Sequence, residues 1–148
     1  MIHIRAATED DIPWILDIEN EAISPPWTHG ALLSEIYNDD SYFIIAEQDR
    51  GTRGGFAVIR QVGDDGELLQ IAVDRRSRRS RVGDLLMADA LEYAVKNTLQ
   101  SVFLEVRRSN TAAIGLYMKH GFKSIRVRKD YYDDPVEDAI IMVKKPVR

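Results

Sequence analysis

Five arginines occupy the seven residues from Arg75 to Arg81, directly after the apolar run Leu68-Leu69-Gln70-Ile71-Ala72-Val73 and directly before Gly83 and a helix-forming stretch. A strand that runs through such a loop into a helix start presents outward-pointing N–H groups and the positive end of the helix dipole. Arginine adds charge-assisted donors suited to phosphate. The chemistry written in this segment is therefore a cradle for a phosphate-bearing cofactor, set against the plainer reading of a solvated basic loop. Two further residues stand out. Glu105 interrupts the apolar strand Val102-Phe103-Leu104-Glu105-Val106, where alternation places it on the face of Phe103; it is either an exposed strand residue or a carboxylate held in a cleft. Tyr117 shares a helix face with Ala113, as core packing or as a phenol presented to a site. The chain has no cysteine, which excludes a thiolate nucleophile and an acyl-cysteine intermediate. His3, His29 and His120 are scattered without ligand spacing, so no metal is expected.

The elements that must position these residues follow from pattern. The 148 residues suit a single domain spanning 1–148 with a real core. The net charge of −4 makes the arginine loop a local basic island and argues against direct nucleic-acid binding by a broad basic face. No secretory signal opens the sequence and no apolar run approaches a membrane span, so a cytoplasmic protein is expected. Residues 2–5 read as a short strand. Thr8 is placed to cap a helix over 9–21, broken by Ser24-Pro25-Pro26, and Thr28 to cap a second helix. Strands over 42–47, 55–62 and 67–73 form an antiparallel meander through turns at Asp49-Arg50-Gly51 and Gly63-Asp64-Asp65-Gly66. A helix over 82–97 and a strand over 101–106 imply a parallel crossover. Asn110 caps a short helix ended by Gly121, and strands near 122–129 and 138–144 are joined by a loop over 130–137 that holds Tyr131 and Tyr132. The order β–α–α–β–β–β–α–β–α–β–β describes an α/β domain with a mixed sheet.

The strand LLQIAVD, the loop RRSRVGD, the strand LEVR and the run SNTAAIGLYMKHGF, in this order and spacing, resemble the GNAT superfamily of acetyl-CoA-dependent N-acetyltransferases along essentially the whole chain. LEVR followed by SN, AAI and LY, then YY and EDAIIM, is similar more narrowly to the bacterial ribosomal-protein-alanine N-acetyltransferase family. The resemblance implies a mostly antiparallel mixed sheet whose central parallel strand pair splays, with flanking helices. It implies acetyl-CoA as cosubstrate, contacted by Ile71, Ala72 and Val73 at the strand end, by Arg78, Arg79, Ser80, Arg81, Val82, Gly83 and Asp84 in the loop, and by Asn110 and Tyr117. Laid on the family loop pattern, Arg78 takes the first position and Gly83 the last, while Arg81 stands where glycine is usual. Either the loop adopts an arginine-compatible geometry, or cofactor affinity is lowered.

Under the same resemblance Glu105 is the expected general base and Tyr117 the acid that protonates the leaving thiolate. Trp27, Glu67, Tyr131 and Tyr132 border the acceptor groove, and Glu19 is a further candidate there. The implied reaction is direct transfer, in a ternary complex, to a protein or peptide N-terminus, with a ribosomal protein as the acceptor. The alternatives are a small amine such as a polyamine or an aminoglycoside as acceptor, an acyl-CoA-binding module without catalysis, and ribosome or RNA docking through the arginine loop.

Overall fold

The computed structural model describes residues 1–145 and 147. Its sheet has seven strands in the order β1-β2-β3-β4-β5-β7-β6. They are β1 (His3–Ala6), β2 (Ser41–Glu47), β3 (Arg53–Val62), β4 (Asp65–Val73), β5 (Val102–Arg107), β6 (Lys123–Tyr132) and β7 (Glu137–Lys144). The helices are α1 (Ile12–Ala22), α2 (His29–Ile36), α3 (Val82–Lys96) and α4 (Thr111–Lys119). Element order and type match the sequence reading, and all pairings are antiparallel except β4 with β5.

Alternation along the central strands sorts the core onto the two faces of the sheet. Phe43, Ile45, Phe56 and Val58 meet Ile12, Ile15, Ile18 and Leu32 of α1 and α2. Ile44, Ala46 and Ala57 point the other way, to Val82 and Leu86 of α3. Gly55 lets α3 settle this low: a Cβ there would lie 2.6 Å from the Ala72 carbonyl oxygen and 2.9 Å from Val82.

Three local features differ from the sequence expectation. The helix expected from residue 9 begins as a 3-10 turn with Thr8 at its N-cap, in a capping box in which the Asp11 carboxylate accepts from the Thr8 backbone N–H at 2.8 Å. A side chain three residues ahead thus serves the chain entry. β6 runs on to Tyr132, paired with Glu137, so Tyr131 and Tyr132 stand on a strand and not in the hairpin loop. Their aromatic β propensity, and the register break between Arg128 and Tyr132, extend the strand past the loop expected at Asp130. A bulge in β3–β4 pairs Val58 with Gln70 and Ile59 with Leu68, leaving Leu69 unopposed. Leu69 consequently packs on the α1 side while Leu68 packs on the other. Thr28 and Asn110 cap as expected, accepting from Ala31 N at 3.1 Å and Ala113 N at 3.2 Å, and Gly121 ends α4 at φ +94°.

The site is created by how little β4 and β5 pair. Only Gly66 with Val102 and Glu67 with Phe103 are partners. Beyond them β4 stays paired to β3 as far as Val73, and β5 stays paired to β7 as far as Arg107. Each strand follows its outer neighbour, and the two part like a fork.

Candidate active site

A groove of about 440 Å³ opens at this fork. β4 contributes Glu67 and residues 68–71, β5 contributes Glu105 and Arg107, and α4 contributes Tyr117 with its cap Asn110. The segment after α1 contributes Trp27, and the end of β6 contributes Tyr131 and Tyr132. The structure therefore gathers, from five separate stretches of chain, Glu67, Ile71, Glu105, Asn110, Tyr117, Trp27, Tyr131 and Tyr132, all singled out in the sequence.

Glu105 is loosely held. One carboxylate oxygen lies 3.4 Å from the Tyr131 hydroxyl, the other 3.5 Å from Arg128, and the side chain keeps 32% exposure. The negative charge of Glu105, with burial and its hydrogen bond, pushes the Tyr131 phenol up. Tyr117 is only 7% exposed and packs against Phe122. Burial, with Tyr132 beside it, pushes its phenol well above the ordinary value, so it holds its proton at neutral pH. Burial and then Glu105 raise Tyr132 to about 12. A wet carboxylate and a dry phenol on two walls of one groove can take a proton from an incoming amine and give one to a departing group.

A second cavity of about 430 Å³ lies at the far end of β4, between Ile18, Glu21 and Ala22 of α1 and Val73, Asp74, Arg75, Arg76 and Arg78. The loop is built by its small polar residues. Asp74 accepts from Arg76 N at 2.9 Å, and buried Ser77 donates to Gln48 Oε1 at 3.0 Å. Arg75 pairs with Glu21 and Arg76 with Asp74. Arg78, Arg79 and Arg81 are exposed and have no ion-pair partner among the described residues. The loop solves the missing glycine in its own way: Arg81 sits at φ −88°, open to any residue, and the left-handed turn falls on Arg79 at φ 66°. Arginine at 81 therefore carries no backbone strain.

Val82 is wholly buried, its side chain packed with Ile44, Ala46, Ala57 and Leu86. Asp84 accepts from Lys119 and meets His120, each at 2.9 Å, tying the start of α3 to the end of α4. Ala72 turns toward α1, and Ile71 and Val73 toward α3. The β4 edge from residue 68 onward has no strand partner on the β5 side, and it leads from the groove to the arginine loop. This continuous track suits a cofactor with an amide-bearing arm and an anionic end. Sequence reasoning passed over Arg107 and Gln70. Alternation already placed Arg107 on the face of Glu105, and that was the available signal.

Residues 12–122 match the acetyltransferase (GNAT) family. The chain is 34% identical over 141 residues to the ribosomal protein bS18-alanine N-acetyltransferase of Escherichia coli strain K12, covering 94% of this chain and 94% of that protein. It is 32% identical over 152 residues to an N-alpha-acetyltransferase of Sulfurisphaera tokodaii, covering 94% of this chain and 90% of that one. The crystal structure of the Escherichia coli ribosomal-protein-S18-alanine N-acetyltransferase aligns with a TM-score of 0.87 and 32% identity, over 99% of this chain and 94% of that chain. Among the described residues no helix is long and apolar enough to cross a membrane. The chain belongs to the GNAT family and is an acetyl-CoA-dependent N-acetyltransferase.

Proposed function

We propose that residues 1–148 form one acetyltransferase domain that acetylates the N-terminal α-amine of a protein, with a ribosomal protein as acceptor. The observation that carries this is the fork groove, which puts Glu105 and Tyr117 on the walls of one cavity flanked by Trp27, Tyr131 and Tyr132. The aromatic walls offer flat apolar surface to the first residues of a peptide. Relatives that act on ribosomal protein bS18 alanine, at 34% identity across 94% of the chain, support the acceptor class.

Acetyl-CoA supplies the activated thioester. The free edge of β4 at Ile71, Ala72 and Val73 holds its arm and polarises the carbonyl, while Arg78, Arg79, Ser80, Arg81 and the first N–H groups of α3, from Val82 to Asp84, hold its phosphates. Glu105 takes a proton from the acceptor ammonium, directly or through water. An α-ammonium, with a pKa near ~8 against ~10.4 for lysine, is within reach of a single carboxylate base. The amine nitrogen then bonds to the acetyl carbon, the carbon–sulfur bond breaks as Tyr117 gives its hydroxyl proton to the departing sulfur, and the nitrogen's second proton leaves to solvent while the Tyr117 phenolate regains one from it. Holding both reactants in one groove supplies much of the rate.

The test offers the enzyme and acetyl-CoA three acceptors: a peptide with a free N-terminal alanine, the same peptide blocked at its N-terminus but carrying a lysine, and spermidine. Mass spectrometry should find the acetyl group on the α-amine of the first. Modification of only the lysine peptide or spermidine would overturn the acceptor assignment.

A further inference from the structure

Arg107 lies outside the proposed chemistry but contacts the segments that carry both walls of the groove. It is the last residue of β5, two positions beyond Glu105, and its side chain is 18% exposed. One terminal nitrogen donates to the Pro135 carbonyl at 3.0 Å and to Glu137 Oε1 at 3.2 Å. The other donates to the Ser24 carbonyl at 2.9 Å and to the Asp133 carbonyl at 3.0 Å. The guanidinium also stacks over the Tyr132 ring, 4.4 Å from its centroid. One planar fork thus joins β5, the segment after α1 and the turn between β6 and β7. Ser24 adds a direct bond between the latter two, donating to the Asp134 carbonyl at 3.1 Å.

The contacts continue inward. The ring of Tyr132 stands edge-on to Tyr131 at 5.1 Å between centroids, and the Tyr131 hydroxyl reaches Glu105. On the other wall, three residues after Ser24, the Trp27 N–H is held by buried Glu19 at 2.8 Å. Arg107 therefore bears on both sides of the acceptor groove, whereas the arginine loop and the β4 edge lie away from its contacts.

We propose that Arg107 is a positioning residue for the acceptor: it locks the Trp27 wall to the Tyr131–Tyr132 wall and so sets the groove that the incoming amine must enter. The proposal rests on the groove being the acceptor site. Lysine cannot replace it, because its ammonium is a compact point charge that cannot span four acceptors on two separate stretches of chain, Ser24 and residues 133–137.

Arg107→Lys tests this while keeping the charge. The acceptor KM for the N-terminal alanine peptide should rise roughly ten- to hundredfold, the scale of lost charge-assisted hydrogen bonds, while the dissociation constant of acetyl-CoA stays within about twofold. Fluorine NMR of 5-fluorotryptophan protein reads the wall directly. There are two tryptophans, assigned with Trp14→Phe, and the Trp27 signal should shift or broaden while that of Trp14 holds. Equal losses of acceptor and acetyl-CoA affinity would mark a general structural role and overturn the proposal. So would an unchanged acceptor KM with an unchanged Trp27 signal. If the parent enzyme acetylates no peptide, the function reading fails on its own. The Trp27 signal then decides alone whether Arg107 holds the wall, and an unmoved signal overturns that.

Discussion

Asp11, in the 3-10 turn after β1, and Glu105, in β5, are held in opposite ways. Asp11 is fully buried and accepts four bonds of 2.7 to 2.9 Å, two from Arg5, one from Arg53 and one from the Thr8 amide. Glu105 is partly exposed and has only two long contacts, at 3.4 and 3.5 Å. A carboxylate with every lone pair engaged has no capacity for an arriving proton and works as a joint, here binding β1, β3 and the entry to α1. A carboxylate with spare lone pairs beside a groove can accept one. The fork explains the contrast: Asp11 lies where paired strands bring cations together, and Glu105 lies where β5 has left its parallel neighbour.

The largest expected effect falls on the loosely held side. Glu105→Gln keeps shape and removes the base, so turnover should drop by ~10²–10⁴-fold with acetyl-CoA affinity retained. Activity should recover in part at high pH, where the acceptor amine is already neutral. Tyr117→Phe should lose turnover on the same scale with no such recovery, because the proton missing is the one due to the sulfur. Steady-state kinetics from pH 6 to pH 10, with thermal midpoints as a folding control, separate the two. Near-parent turnover in both folded variants would make these residues structural and erase the contrast with Asp11.

Asp11→Asn probes the joint and should touch stability, not chemistry. Burial alone would raise the Asp11 carboxyl, but the bonds from Arg5, the Thr8 amide and Arg53 override it and hold the group far below the ordinary carboxylate range. A depressed folded-state pKa gives stability that is fully present above the unfolded value near ~3.9 and is lost as pH falls below it. The variant should lose about 3 kcal/mol at neutral pH, the low end for a broken buried pair, because both arginines keep 29–30% exposure. The deficit should shrink as denaturation is followed down to pH 3. A deficit independent of pH would remove the ionic explanation.

The same contrast marks what was legible in the sequence. Local signals carried far: the Asn110 and Thr28 caps, the Gly121 stop and the interrupted strand at Glu105 each depend on a few neighbouring residues, and each stands where expected. Sequence-distant contacts did not announce themselves. Nothing local to Asp11 marks it as a joint, although Arg53, 42 residues away, completes its shell. Arg107 was one letter in a strand motif, although its partners include Ser24, 83 residues away. The loop takes an arginine-compatible geometry at Arg81 and a left-handed turn at Arg79, a course accompanied by hydrogen bonds to Asp74 and Gln48 that the loop's own letters did not reveal. Periodicity registers which face a residue takes, not which distant groups will converge on it.

Glu19 sharpens the comparison with the smallest effect, since it is as buried as Asp11 but has no ion-pair partner among the described residues. Its Oε1 accepts from the Trp27 N–H at 2.8 Å and from Gln70 Nε2 at 3.4 Å, while Glu19 Oε2 and Gln70 Oε1 have no partner among the described residues. Burial pushes this carboxyl up, against the lowering pull of those two bonds. Burial favours the neutral acid over the anion, and its proton would turn the unpartnered Oε2 into a donor. A raised folded-state pKa has the opposite linkage to Asp11: its stability is complete below the unfolded value near ~4.3 and declines as pH rises through the folded one. Glu19→Gln supplies a permanent donor where the acid supplies a proton. The variant should therefore match the parent below the unfolded value near ~4.3 and gain on it as pH rises, by an amount on the order of 1 kcal/mol, the net worth of one hydrogen bond. Thermal midpoints of both acid-to-amide variants, measured across pH in one buffer series, should diverge from the parent in opposite directions as pH rises. A Glu19→Gln protein that loses ground toward pH 8, as Asp11→Asn is expected to do, would show that the buried Glu19 is an anion with a donor of its own, and that the two sites are held alike.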